Sequence, residues 1–371
     1  MRIAVDASFV DPGRVGGAEH MVSNLVAGLA AACPTGDELV VYTDRPWRAP
    51  ARVAFEPLRG PGNRFSRITA TLRGRMARHD AVLFSNYFTP PFPKTRRRPR
   101  FVTVIHDLQY LHLPENFSAR KRAWLRAAHE ATLRLADQTV TISEHVRGDV
   151  LDRYGRRWAS RVRAIHNPVS WERFGDDGEL PAAIGEGPVV LAVAAQYPHK
   201  NLSTVVQAFA ELRRRGTHDD ARLVLAGQLG ARLSGVAWTT PLDRLIDDHD
   251  LRSSVVETGY LDDASLGALY RRATVFAFPS LFEGFAMPPI EALGFGLPVL
   301  TSREASIPEV TMGFATYLDD PRDPTEMADR LSAMLEDPQA ARPSPAEVAA
   351  VRDAYDPARI GARYRDALEA S

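Results

Sequence analysis

Residues 279–299 read PSLFEGFAMPPIEALGFGLPV and follow the apolar run TVFAFP at 274–279. This pattern predicts a buried strand, a loop and a short helix from about Pro288 to Phe295, closed by a glycine. Proline fits the first helical turn because the amide groups there have no partner within the helix. Glu283 then lies in the loop beyond the carboxyl end of the strand, and Glu291 lies one turn into the helix.

The loop between the two carboxylates offers backbone donors. The N–H groups of Gly284, Phe285 and Ala286 precede the predicted helix, where free amides and the helix dipole favour an anion. Carboxylates accept hydrogen bonds from hydroxyl groups. The stretch therefore predicts a site for a ligand that carries both hydroxyls and phosphate. The plain alternative is a solvated helix with two surface glutamates.

Short apolar runs alternate with helix-like runs along the whole chain. In the first half the strand-like runs are RIAVD (2–6), ELVVYT (38–43), AVLFS (81–85), FVTVIH (101–106), QTVTIS (138–143) and RVRAI (161–165). In the second half they are PVVLAVA (188–194), RLVLAG (222–227), SVVETGY (254–260), TVFAFP (274–279), LPVLTS (297–302) and FATYL (314–318). Strands separated by helices predict an α/β fold with doubly wound parallel sheets.

The length of 371 residues is too large for one compact core and suits two domains. We expect an N-terminal α/β domain at residues 1–170 and a second α/β domain at 188–350. The polar segment 171–187, punctuated by Pro and Gly, is the expected linker. Residues 351–371 are expected to form a charged helical tail.

Composition excludes several classes of protein. Lys and Arg number 46, as do Asp and Glu, so no charge excess indicates a nucleic-acid partner. The single Cys33 excludes a disulfide framework and suits a reducing cytoplasm. In MRIAVDASF the charged residue Asp6 follows a short apolar run, so we expect this segment to be a strand rather than a leader. No apolar run approaches the roughly 20 residues that span a bilayer. We expect a cytoplasmic protein without a metal site, because no H-x3-H or C-x2-C spacing occurs.

The strings F-x-E-G-F and P-x-x-E-A-L-x-x-G-x-P-V around Glu283 and Glu291 resemble the E-x7-E motif of family 4 glycosyltransferases. These are retaining, nucleotide-sugar-dependent enzymes with the GT-B fold. Further strings that resemble the family occur in the expected order: Gly16-Gly17, His106-Asp107-Leu108, His199-Lys200-Asn201, Gly259-Tyr260-Leu261 and the helical tail. The resemblance implies two Rossmann-like domains facing across a cleft, with the acceptor on the N-terminal domain and the nucleotide sugar mainly on the C-terminal domain. It also implies that the last helix, at 351–371, crosses back to the N-terminal domain. It also implies transfer of a hexose from a nucleotide-diphosphate sugar to a hydroxyl acceptor.

The resemblance also implies roles for single residues. The implied donor-binding positions are Gly16, Gly17, Gly259, Tyr260, Leu261, Gly284, Phe285, Ala286 and Glu291. The implied catalytic positions are His106, which would contact the transferred sugar, Lys200, which would contact the donor pyrophosphate, and Glu283, which would hold sugar hydroxyls. Glu291 would hold the ribose hydroxyls. No protein nucleophile, bound metal or cofactor is implied, because family members stabilise the leaving diphosphate with positive groups and helix dipoles.

The chain departs from the family pattern at one point. An Arg often stands where this chain has Gln196, so the family's second cation for the diphosphate is absent at this position. His199, Arg303 or helix N-termini are the possible substitutes. The alternative functions are an inactive scaffold with the GT-B fold, and a GT-B nucleotide-sugar epimerase or phosphorylase.

The implied partners are a nucleotide-sugar donor and a glycan, lipid-linked or small-molecule acceptor. The donor could be GDP-mannose, dTDP-rhamnose or a UDP-sugar, because the strings look most like bacterial mannosyl- or rhamnosyltransferases of polysaccharide and glycoconjugate assembly. The basic run KTRRRPR at 94–100 indicates either a solvated loop or a peripheral contact with an anionic membrane.

Overall fold

The computed structural model describes residues 1–10, 17–92, 98–227 and 242–369. These residues form two compact units. The first contains residues 1–170 and 353–371, and the second contains residues 171–352. Gly16 and residues 94–97 of the basic run lie outside the described residues.

The first unit is built on a parallel sheet. Its described strands are β1 (Arg2–Asp6), β2 (Glu38–Tyr42), β3 (Val53–Glu56), β4 (Ala81–Phe84), β5 (Arg100–Ile105), β6 (Gln138–Thr141) and β7 (Val162–Ala164), in the order β3-β2-β1-β4-β5-β6-β7. The helices are α1 (Gly17–Ala32), α2 (Arg64–Arg73), α3 (Gln109–His112), α4 (Ala119–Leu135) and α5 (Glu144–Tyr154). Ile3, Ala4 and Val5 of the central strand are fully buried, as expected for a parallel sheet covered on both faces.

The second unit repeats this architecture. Its described strands are β8 (Val189–Val193), β9 (Arg222–Ala226), β10 (Val255–Gly259), β11 (Val275–Phe278), β12 (Val299–Thr301) and β13 (Thr316–Tyr317), in the order β10-β9-β8-β11-β12-β13. The helices are α6 (Leu202–Arg214), α7 (Leu242–Asp248), α8 (Asp263–Arg272), α9 (Met287–Gly294), α10 (Ile307–Val310) and α11 (Pro324–Glu336). The predicted α/β class with doubly wound parallel sheets is therefore confirmed for both units.

The chain ends in α12 (Pro345–Ala354) and α13 (Pro357–Glu369). Helix α13 belongs to the first unit and packs directly on α1 through glycines. A Cβ atom on Gly28 would lie 2.0 Å from the carbonyl oxygen of Pro357, and one on Gly361 would lie 2.2 Å from the backbone of Gly28. The two backbones are thus too close for any side chain at these positions.

Several described elements, β3 and α2 among them, do not appear among the runs predicted from the sequence. Strand β3 is an edge strand whose residues stay partly or fully exposed, so it lacks the apolar run that marks a buried strand. Helix α2 buries few side chains, among them Ile68 and Leu72, and its start is fixed by Asn63, whose side chain accepts from the Ser66 amide at 3.0 Å. Both elements depend on local capping and sheet-edge pairing more than on apolar periodicity.

Residues 171–187 pack on the second unit, although their polarity suggests a linker. Phe174 is 1% exposed. The ring of Trp171 lies against α9, where a Cβ atom on Gly294 would come within 2.3 Å of it. The aromatic side chains at the start of this segment therefore anchor it to the core.

Candidate active site

The loop between β11 and α9 forms the centre of the candidate site in the second unit. Ala286 adopts a left-handed conformation with φ of 57°, and α9 begins at the next residue with prolines in its first turn. A side-chain hydrogen bond stabilises the loop backbone, because the Ser306 Oγ donates to the carbonyl of Glu283 at 2.9 Å. The predicted helix is present, although it starts at Met287 and ends at Gly294.

Lys200 and Glu283 form a shielded ion pair at this loop. The Lys200 Nζ lies 2.6 Å from the Glu283 Oε1, and the two side chains are 17% and 10% exposed. The Ser280 hydroxyl donates to the same oxygen at 2.7 Å. The Lys200 ammonium also lies 5.4 Å from the ring centroid of Phe278. Two residues predicted as catalytic are thus brought into direct contact.

The backbone around Lys200 is held rigidly. Lys200 ends a 3-10 turn at 198–200, and Asn201 follows in the left-handed conformation with φ of 55°. The Asn201 side-chain amide donates to the carbonyls of Pro279 and Pro321, at 3.2 and 2.7 Å. These bonds tie the lysine-bearing turn to the glutamate-bearing loop, so the position of the ammonium is fixed by side-chain to backbone bonds.

Glu291 is buried in a second polar cluster. Its Oε1 lies 2.5 Å from the Arg173 Nη2, and its Oε2 accepts from the Tyr270 hydroxyl at 2.8 Å. Burial raises the pKa of Tyr270 well above its usual value, and the neighbouring carboxylate raises it further. Arg173 also reaches Asp263 at 3.0 Å.

Sequence reasoning missed Arg173 and Tyr270. Arg173 lies in the segment expected to be a linker, and Tyr270 lies on a helix with no motif. The available signal was physical: a glutamate on the buried face of a short helix needs a cation or donors to offset the cost of burying its charge.

The positions proposed as substitutes for the absent arginine differ in charge. Burial, together with the neighbouring charge of Lys200, lowers the pKa of His199 to about 4. His199 is therefore neutral at pH 7 and supplies no positive charge. Arg303 follows β12 at the carboxyl edge of the sheet, is exposed, and stacks over the Tyr317 ring at 4.5 Å. Of these two side chains, Arg303 alone carries a charge.

The other residues predicted to bind the donor lie at the end of β10 and in the loop before α9. Gly259 ends β10 with φ of 68°, which favours glycine, and Tyr260 beside it is 55% exposed. Leu261 lies in the following turn and is half-buried. Phe285 and Ala286 are buried in the loop before α9.

His106 lies in the first unit, directly after β5. Its Nε2 is 2.7 Å from the carbonyl oxygen of Ser85, which can only accept, so this nitrogen carries a hydrogen. Burial lowers the pKa of His106, and the ring is therefore neutral at pH 7. Asp107 shapes the loop by accepting from the Gln109 amide at 2.9 Å. Gly17 opens α1, and Gly16 is outside the described residues.

Asp6 and Asn86 were not singled out from the sequence, yet they lie at the same edge of the first sheet. The Asn86 side chain is 3.3 Å from one Asp6 carboxylate oxygen, and the amide of Ser8 donates to the other at 2.9 Å. Burial raises the pKa of Asp6. Both residues end or follow strands at the carboxyl edge, and this position is where parallel sheets bind ligands.

Comparison with known protein families covers most of the chain. Residues 181–348 match the family described as Glycosyl transferases group 1, and residues 15–173 match Glycosyltransferase Family 4. The O-antigen chain mannosyltransferase B of Escherichia coli is 26% identical over 263 residues, which are 68% of this chain and 65% of that protein. The serotype-specific mannosyltransferase WbdA of Escherichia coli is 36% identical over 139 residues, 36% of this chain and 16% of that protein. The chain thus spans less than two thirds of the length of these relatives.

Solved structures share the fold over the full length. Sucrose-phosphate synthase from Thermosynechococcus elongatus superposes with a TM-score of 0.79 at 20% identity and covers 100% of both chains. HepE from Anabaena, solved in complex with UDP and glucose, superposes with a TM-score of 0.73 at 18% identity and the same coverage. At such identities the likeness shows the fold alone, and it confirms the predicted GT-B architecture of two parallel-sheet α/β domains.

Proposed function

We propose that this chain, which belongs to glycosyltransferase family 4, transfers a hexose from a nucleotide-diphosphate sugar to a hydroxyl acceptor with retention of the anomeric configuration. The observation that carries the proposal is the fixed contact between Lys200 and Glu283 at the loop before α9. An ammonium and a carboxylate in direct contact suit a ligand that has an anionic diphosphate next to sugar hydroxyls.

Lys200 stabilises the leaving group in this proposal. An ammonium has three donors, and only one is needed for the bond to Glu283. A second can therefore reach a diphosphate oxygen, where charge grows as the bond to the sugar breaks. The amides of Gly284, Phe285 and Ala286 add backbone donors for phosphate or sugar. Arg303 supplies the further cation that His199, neutral at pH 7, does not provide.

Glu291 binds the ribose hydroxyls in this proposal. Each oxygen of the Glu291 carboxylate retains a lone pair beyond its bond to Arg173 or Tyr270. Gly259, Tyr260 and Leu261 lie beside the nucleobase of the donor in this proposal. They recognise the base through backbone contacts and through its shape. Gly16 and Gly17 keep the role implied by the resemblance, in which their backbone approaches the donor closely.

The proposed chemistry needs no protein nucleophile and no catalytic metal. The acceptor oxygen forms its bond to the anomeric carbon on the face from which the diphosphate leaves, and the acceptor proton passes to a phosphate oxygen of the donor. Glu283 orients the sugar hydroxyls. His106, neutral and fixed by Ser85, contacts the transferred sugar.

Mannose is the sugar that the relatives favour, because several of the curated relatives are named as mannosyltransferases. GDP-mannose is therefore the first donor to test, with dTDP-rhamnose and UDP-sugars as alternatives. The acceptor is proposed to be a glycan or a lipid-linked saccharide of bacterial polysaccharide or glycoconjugate assembly, with a small-molecule acceptor as the remaining possibility.

A peripheral membrane contact fits one face of the first unit. In the described part of the chain, no helix is both long and apolar enough to cross a bilayer. Helix α4 begins with Arg120 and Lys121, which form no ion pair with a described residue, and Trp124 lies one turn further along and is 45% exposed. Cations beside an exposed tryptophan suit the surface of an anionic membrane, so this face would bring the enzyme to a lipid-linked acceptor.

The test is donor consumption by the purified protein. Wild type is incubated with GDP-mannose, dTDP-rhamnose and UDP-glucose, with mannose oligosaccharides or lipid-linked acceptors, and release of nucleotide diphosphate is followed. Proton NMR of the product then reports its anomeric configuration. We expect one donor to be consumed with retention, and Lys200→Ala to lower kcat by about 100- to 1,000-fold.

Lys121→Ala is the matched control, since it removes an exposed lysine from the other unit. It should leave kcat with a soluble acceptor unchanged. Inversion of configuration, or equal rates for Lys200→Ala and wild type, would contradict the proposed chemistry. No consumption of any donor would favour the inactive scaffold, whereas a converted sugar without transfer would favour an epimerase.

A further inference from the structure

Three side chains of the first unit converge with the spacing of metal ligands. They are His112 at the end of α3 and His145 and Asp149 on α5, and their donor atoms all lie within 4.8 Å of one another. We propose that they bind a divalent transition-metal ion, with Zn²⁺ as the best fit. This ion uses none of the residues assigned to the proposed donor site.

The distances between the donor atoms suit such an ion. The His112 Nε2 is 2.7 Å from the Asp149 Oδ2, and the His145 Nε2 is 3.6 Å from the same oxygen. Zn²⁺ binds imidazole nitrogen and carboxylate oxygen at about 2.0–2.2 Å, so ligand atoms of a tetrahedral site lie roughly 3.3–3.5 Å apart. One contact is already near this value, and the other must lengthen by roughly half an ångström.

The local structure allows this adjustment. His145 and Asp149 are four residues apart on one helix and therefore lie on the same face, where the helix fixes their separation. His112 is on a separate short helix, and its side chain is 38% exposed. Its ring can therefore shift while α5 stays in place. The partial exposure of all three side chains gives an ion a path from solvent and leaves room for water to complete its coordination.

His145 belongs to the cluster in addition to the hydrogen-bonded pair of His112 and Asp149. The His145 nitrogen is too far from the carboxylate for a good hydrogen bond, yet it lies at the distance of two atoms that share a cation. The imidazole rings are 6.0 Å apart at their centroids and tilted by 41°, so they do not stack face to face. Within the described residues, no other group of three His, Cys, Asp or Glu side chains has this spacing.

An ion bound at this position would restrain a nearby loop. Helix α3 starts at Gln109, close after His106 and Asp107 on the loop that follows β5. An ion shared by His112 and α5 would tether this loop to the body of the first unit. We therefore expect metal binding to raise the thermal stability of the protein. Nitrogen ligands select Zn²⁺, Co²⁺, Ni²⁺ or Cu²⁺ over Mg²⁺, which prefers oxygen.

The test uses metal-free full-length protein without a histidine tag. Co²⁺ is titrated as a spectroscopic probe and then displaced by Zn²⁺, and the unfolding midpoint is recorded with and without Zn²⁺. We expect one Co²⁺ per chain with visible absorption bands of a low-coordinate site, loss of these bands on adding Zn²⁺, and a higher midpoint with Zn²⁺. Mg²⁺ should have no effect. His145→Ala and Asp149→Asn should each weaken Co²⁺ binding at least tenfold.

His249→Ala is the control, because it removes an exposed histidine from the second unit and should leave Co²⁺ binding intact. A measurement on wild type alone guards against variants that misfold: Zn²⁺ should protect His112 and His145, but not His249, from modification by diethyl pyrocarbonate, as read by peptide mass spectrometry. The absence of stoichiometric Co²⁺ binding would overturn the proposal. So would equal modification of His112 and His145 with and without Zn²⁺, or unchanged Co²⁺ binding in both variants.

Discussion

The Arg173 guanidinium lies 2.5 Å from the Glu291 carboxylate, and the two side chains are only 10% and 4% exposed. The pair links the segment after residue 170 to α9, which follows the candidate loop. Removal of Glu291 leaves the buried Arg173 with only the partly exposed Asp263 as a charge partner, and breaking a buried ion pair costs about 3–5 kcal/mol. Glu291 therefore has a structural role in addition to the ligand role proposed for it.

We expect Glu291→Ala to lower the free energy of unfolding by about 3–5 kcal/mol, measured by urea denaturation. Tyr270→Phe removes one hydrogen bond to the carboxylate without changing charge, and it should cost about 1.5–3 kcal/mol. Glu304→Ala, at an exposed position, should change the free energy by less than about 0.5 kcal/mol. Equal stability of Glu291→Ala and Glu304→Ala would show that the pair contributes nothing to the fold.

The architecture was predictable from the sequence because its signals are local. Apolar runs such as RIAVD and TVFAFP form β1 and β11, since a strand buried on both faces needs a continuous apolar run. The contact between Lys200 and Glu283 was only implied, because it depends on how Asn201 ties two separate loops together. Sequence patterns do not directly indicate bonds between residues that are far apart in the chain.

Other features could not be predicted for the same reason. Arg173 approaches Glu291 across 118 positions of the chain. The cluster of His112, His145 and Asp149 joins two helices, and only its H-x3-D half is visible as a spacing. Donor positions and the acceptor side stay predictions that rest on family resemblance, and the cytoplasmic location stays a prediction that rests on composition.

The glycine contact between α1 and α13 predicts a sharp effect of one methyl group. Gly28→Ala places a Cβ atom where the Pro357 carbonyl lies, so the helices must separate. We expect a loss of about 1–3 kcal/mol in the free energy of unfolding, or more. Gly148→Ala is the matched control, since a Cβ atom there meets nothing within 4 Å and should stabilise α5 by about 0.5–1 kcal/mol. If both variants are equally stable, the close crossing is not present in solution.

His129 should make stability depend on pH. It is 2% exposed among aromatic rings, and burial lowers its pKa from 6.5 to about 4. Between these values the unfolded chain binds a proton that the folded chain does not. Stability is therefore full above pH 6.5 and falls as the pH drops to about 4, by up to about 3 kcal/mol for this group.

His129→Phe keeps the ring and removes the titrating nitrogen. We expect the loss of unfolding free energy between pH 7.5 and pH 4.5 to be smaller in this variant than in wild type, as measured by urea denaturation at each pH. The exposed control His249→Phe should behave like wild type. The same pH dependence in His129→Phe and wild type would exclude His129 as its source.

The basic face of α4 should bind anionic vesicles. Each cation near an anionic surface contributes about 1 kcal/mol, so the double variant Arg120→Ala/Lys121→Ala should bind about 30-fold more weakly in vesicle co-sedimentation at low salt. Arg214→Ala/Arg215→Ala is the control, because these exposed arginines are already paired with Glu211. Equal binding of the two double variants, or binding to neutral vesicles, would contradict the assignment of this face.

The central claim is that Lys200 and Glu283 mark the site of a nucleotide-sugar diphosphate. The most direct test is isothermal titration calorimetry with GDP, UDP, dTDP and ADP on wild type, Lys200→Ala and Lys121→Ala. We predict that one nucleotide binds wild type and Lys121→Ala with the same affinity, and that Lys200→Ala binds it at least tenfold more weakly, because a charge-assisted bond to phosphate is lost. Binding that is unchanged in Lys200→Ala, or no binding of any nucleotide to wild type, would contradict the account.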